Sequence, residues 1–163
     1  MISLLLASAL SGLPPSEAVL MAYHLACNVG QLQLDPSEAK VFDETGSPTP
    51  GPLLYAWGSP KKLTSIRLKY PRTTYILIAE YEPKYAQQMA RVCQVESNAI
   101  TREDAERGFL SAVHHPTVTW DRETPHFHMT LEIDRPKEGF KKRLMIFDDG
   151  WVILETGLYK ERH

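Results

Sequence analysis

The chain has 163 residues, enough for one domain that buries a core without help from metals or many disulfides. Hydrophobic residues make up 43% and charged residues 23%, ordinary for a globular chain, and 12 prolines argue against a helical bundle or coiled coil. A net charge of −2 supplies no global field toward nucleic acid or an anionic membrane, so any such partner must meet a local patch.

Residues 2 to 13, "ISLLLASALSGL", form an apolar stretch with the length of a signal-peptide core, too short to span a bilayer. Ala9 and Ser11 place a cleavage near Gly12, although no Lys or Arg occurs before Lys40. Residues 1–13 therefore read as a signal segment and 14–163 as a single domain. The alternative is a buried N-terminal helix or strand in a cytoplasmic protein.

Residues 16 to 27, "SEAVLMAYHLAC", set Val19, Leu20, Tyr23, Ala26 and Cys27 on one helical stripe, with Ser16 as N-cap and His24 as a packing or capping residue beside it. Asn28 and Gly30 end this helix, and "QLQLD" alternates as a short strand would. From Pro36 to Pro60 the composition of Pro, Gly, Ser and Thr reads as a long surface connection, with one helical turn around Leu53 to Trp57.

"LTSIRLKY" and "TTYILIAEY" flank Pro71-Arg72 and read as antiparallel strands. Thr64, Ile66, Leu68 and Tyr70 share one face of the first; Ser65, Arg67 and Lys69 take the other. Residues 83 to 97 carry both periodicities and are expected to be a short helix giving way to a strand near Arg91. "TREDAERGFLSAVHH" is a helix with Thr101 as N-cap and Asp104 completing a capping pair; His114-His115 close it, where histidine suits the exposed carbonyls.

The last third reads as a meander of "TVTW", "PHFHMTLEID", "KKRLMIF" and "WVILETGLY", with Asp149-Gly150 as a hairpin turn. The expected fold class is α+β: a single curved antiparallel sheet packed by about two helices, ending in a C-terminal β-meander.

Four constellations could carry function. Cys27 and Cys93 are an even, widely spaced pair that fits an oxidising compartment; a disulfide between them would close a loop worth roughly 4 kcal/mol. The alternative is two buried thiols in a reducing cytosol.

In "ETPHFHMTLEID", counting by twos puts Phe127, Met129, Leu131 and Ile133 on one face and His126, His128, Thr130, Glu132 and Asp134 on the other. The polar row is either solvated or the lining of a cavity. His126, His128 and Glu132, with Gly139 beyond, resemble half of the first metal-binding motif of the cupin family, which implies a divalent transition metal held by those three residues. Trp120 stands where that motif has glycine, and its second motif has no counterpart. In an extended strand Glu132 lies roughly 13 Å from His128, so a zinc or copper ion on the two histidines would need a distant ligand such as His114 or His115.

Lys61, Lys62, Arg67, Lys69 and Arg72 run without an acidic residue until Glu80, which suits an anionic envelope polymer or an edge strand guarded against pairing. Nucleic acid is disfavoured because Tyr70 falls with the apolar set. Finally, a G-x-S-x-G elbow and a glycine-rich phosphate loop are missing, and Glu123, Glu132 and Asp134 are acids on strand faces.

The functional expectation is a small exported, periplasmic domain without catalytic chemistry or cofactor, stabilised by Cys27–Cys93 and binding a protein or envelope component. Two alternatives remain: a metal-dependent enzyme or metal-binding protein using His126 and His128, and a cup for a small hydrophobic ligand between sheet and helices.

Overall fold

The structure, a computed structural model, describes residues 10–28, 39–42, 60–85, 88–112, 117–119 and 127–160. Two helices, a π-helical turn and eight strands are seen among them: α1 (Pro15–Tyr23), the π turn (His24–Asn28), β1 (Ala39–Phe42), β2 (Lys62–Arg67), β3 (Thr74–Glu80), β4 (Met89–Ser97), α2 (Arg102–Ala112), β5 (Thr117–Thr119), β6 (Phe127–Arg135), β7 (Phe140–Phe147) and β8 (Val152–Tyr159). All strand pairs are antiparallel, in the order β1-β2-β3-β4-β8-β7-β6-β5, so this is an α+β fold. The last four strands form a meander, and its final strand returns to pair with β4. That pairing joins β1–β4 and β5–β8 into one sheet.

The strand alternation decides what is covered. Ile76 and Ile78 of β3 pair with Val95 and Cys93 of β4, which pair with Leu154 and Thr156 of β8; Leu144 of β7 continues the row to Leu131 of β6. This face is apolar and buried, and it forms one core with Ala18, Val19, Ala22 and Tyr23 of α1 and with Ala105 and Phe109 of α2. The small residues of α1 let it lie close to β4. Gly108 serves the same end between the helices: a Cβ there would come within 2.6 Å of Leu20.

Local signals placed several boundaries. Thr101 Oγ1 accepts the Asp104 amide as the α2 cap. In the β7–β8 hairpin Gly150 takes φ +89°, which suits glycine, and Asp149 Oδ1 accepts the Trp151 amide.

Three expectations change. Helix α1 begins at Pro15 behind Pro14 with no side-chain cap, because proline at the first position needs no amide partner; Ser16 instead accepts the Thr101 amide across the helix pair. Residues 39–42 form β1, inside what reads as a surface connection, because β2 offers an unpaired edge with Lys40 opposite Ser65. Among the described residues from 83 to 90 there is no helix: β4 starts at Met89, and Gln88 Oε1 accepts the Lys84 and Tyr85 amides in a local turn. A strand slip between Met89 and Arg91 accounts for the mixed periodicity there. The expected strand at 31–35 and helical turn at 53–57 lie outside the described residues.

Cys27 of the π turn is bonded to Cys93 at the middle of β4, with Cα atoms 5.3 Å apart and 66 residues of sequence separation. Beside it the Tyr23 hydroxyl meets Thr156 Oγ1 at 2.5 Å and donates to the Glu155 carbonyl at 3.1 Å. The helical layer is thereby tied to the two central strands. Reduction should lower the unfolding free energy by about 4 kcal/mol, measured by denaturant titration with and without dithiothreitol; equal midpoints would contradict the tie's role.

Candidate functional site

The opposite face of the sheet carries the unexpected chemistry. The register lines up Leu77, Gln94, Glu155, Arg143 and Glu132 side by side on β3, β4, β8, β7 and β6. Four of these five are polar, and the central ones are buried: Glu155 is 1% exposed and Gln94 0%. Arg143 Nε donates to Glu155 Oε1 at 2.7 Å, its Nη2 stands 2.6 Å from that oxygen as an ion pair, and Gln94 Nε2 donates to Oε2 of the same carboxylate. A buried carboxylate persists only with such partners. One step along, Lys141 lies 3.2 Å from Glu132 and 3.9 Å from Asp134. The Tyr159 hydroxyl donates to Asp134 at 2.6 Å, and burial, with that hydrogen bond, holds the phenol protonated to well above its usual range.

Glu96 lies two residues beyond Gln94 on the same face, between Tyr75 of β3 and Ile153 of β8. It is 4% exposed, and its Oε1 makes no hydrogen bond among the described residues; Gln94 Oε1 is alike in this. Burial pushes the Glu96 carboxyl up to about 7. The Tyr75 and Trp151 rings, 6.4 Å apart between centroids, complete this end of the sheet. On the helix side an open groove of about 630 Å³ runs between α1 and α2, lined by Pro14, Ser16, Leu20, Thr101 and Arg107 among others.

The residues singled out in the sequence fall as follows. Cys27 and Cys93 are joined. His126, His114 and His115 lie outside the described residues. His128 falls at a register slip between Phe127 and Met129. Glu132 is engaged by Lys141. Among the described residues no three His, Cys, Asp or Glu side chains come together as metal ligands. His24 is exposed at the start of the π turn.

The cationic run is divided by geometry. Lys61 and Lys62 stand at one end of β2, with Lys61 paired to Glu82 at 2.6 Å, which draws the Glu82 carboxyl below its usual range. Arg67 closes the other end, about 17 Å away along an extended strand, and exposed Lys69 and Arg72 follow it.

The buried polar row had a sequence signal. A hairpin centred on Asp149-Gly150 brings Arg143 opposite Glu155, two opposite charges inside apolar strands. Comparison with known proteins finds no matching family model, no matching curated protein and no matching solved structure.

Replacing Arg143 by Ala should cost about 3–5 kcal/mol in urea unfolding, because it strands a buried carboxylate. The double change Arg143→Met, Glu155→Met should recover most of that loss. Equal destabilisation in both variants would mean that shape, not charge, holds this row together.

Proposed function

We propose that this chain is a small exported domain without catalytic chemistry, stapled by its disulfide, which binds a protein or another component of the cell envelope. The Cys27–Cys93 bond carries the reading, since structural disulfides persist in oxidising compartments and are rare in the cytosol. No helix among the described residues is long and apolar enough to cross a membrane. Surface for a partner is offered by the groove between α1 and α2 and by the exposed Met21 and Leu110 on those helices. The cations at the far end of β2 suit an anionic polymer.

The leader has a physical cost in this reading. Leu10 is 1% exposed in the same core as α1, and the Tyr70 hydroxyl donates to the Leu13 carbonyl. Cleavage near Gly12 would remove Leu10, a loss of about 1.5–3 kcal/mol. A domain of residues 14–163 must stand without that contact.

Intact mass of material from the native host, alkylated with and without prior reduction, tests the proposal. The expected result is that alkylation adds nothing until the protein is reduced, and then modifies both cysteines. Two alkylated thiols without reduction, in protein recovered under acid quench, would refute export. The same spectrum reports whether the chain starts before Leu10 or after it.

A further inference from the structure

One buried titratable group has no assigned work: the Glu96 carboxyl. It stands near the Ser97–Val152 end of the β4–β8 pair, next to the β7–β8 hairpin. Every described element around it supplies neighbours, and none supplies a cation in reach. From β3 come Tyr75 and Leu77, from β8 Ile153 and Glu155, from the hairpin Trp151. On its own strand is Gln94, whose Oε1 also lacks a donor among the described residues. Across the sheet Arg143 is two strands away and held by Glu155. Arg67, opposite Tyr75, is exposed, as are Asp148 and Asp149 in the hairpin.

A carboxyl so placed tolerates burial only while neutral, because an ionised one would face an acceptor-lined, apolar surrounding without compensation. We propose that Glu96 is a pH-sensitive latch: neutral, it lets the Tyr75–Trp151 end of the sheet close over it; ionised, it draws in water and opens that end. The step is a proton transfer to solvent and nothing else.

The direction follows from linkage. Unfolded, the carboxyl loses its proton near its ordinary value of 4.5; folded, it holds the proton to about 7. Between those values the folded state binds more protons, so stability is full below the lower value, falls as pH rises, and levels off above the upper one.

Two measurements on the full chain test the latch. In the first, unfolding constants are measured for the wild type and Glu96→Gln from about pH 5 to about pH 8. Their ratio should rise about 70-fold across that range. A constant ratio overturns the proposal. The second needs no variant: amide hydrogen exchange at Ser97 and Val152, corrected for intrinsic pH dependence, is followed together with the Glu ¹³Cδ resonances. Opening at those two amides should increase with the same midpoint, near 7, as one carboxyl resonance. A set of carboxyl resonances that all titrate in the ordinary range, or exchange at Ser97 and Val152 that ignores a carboxyl titrating near 7, overturns it as well.

Discussion

The bond between Cys27 and Cys93 is the constraint on which the rest of the architecture leans. Helix α1 has nine residues, too few to hold together on its own in water. Its persistence comes from what it is fastened to. The disulfide fixes the turn after it to the centre of β4, and the Tyr23 hydroxyl reaches across to β8. These strands belong to the two four-strand units of the sheet, β1–β4 and β5–β8, so the same few residues that secure the helix also brace the seam between them. Helix α2 then packs on α1 through the space left at Gly108.

On the other side of that seam the sheet buries charge. Glu155 and Glu96 share one face and differ in a single respect: the first has Arg143 and Gln94 on its oxygens, the second has Tyr75 and Ile153 beside it. Burial penalises both carboxylates alike. Arg143 and Gln94 compensate the first, and without such partners burial raises the carboxyl of the second to about 7. A buried ion pair is weak evidence for stability, yet its geometry does fix register, because a slip of one residue would send Arg143 and Glu155 to opposite faces.

Much of this was legible from the residues. The alternation of β2, the apolar run of β3, the Asp149-Gly150 hairpin and the Thr101 cap are local signals, and local chemistry decided them. The cysteine pair was legible as well, because spacing and parity suffice to raise it. What stayed hidden depended on neighbours distant in sequence. Ala39–Phe42 is a strand because β2 presents an edge, and Met89 and Val92 stand at helical spacing because a strand slip, recorded nowhere in composition, falls between Met89 and Arg91. A register slip falls between Phe127 and Met129, and no sequence signal marks it. Glu132, which enters as a ligand only through the cupin resemblance, lies beside Lys141.

As a proposed envelope domain, the molecule would owe its rigidity to one covalent tie rather than to a large helical layer. That coupling is what hydrogen exchange reads most directly. In the oxidised protein the amides of Ala22 to Ala26 should exchange together with those of Val92 to Val95, through the same global opening. After reduction the helical set should exchange first, by a local release that leaves the strand protected. Identical exchange of the two sets before and after reduction would contradict the account, because it would mean that packing alone already holds the helix to the sheet.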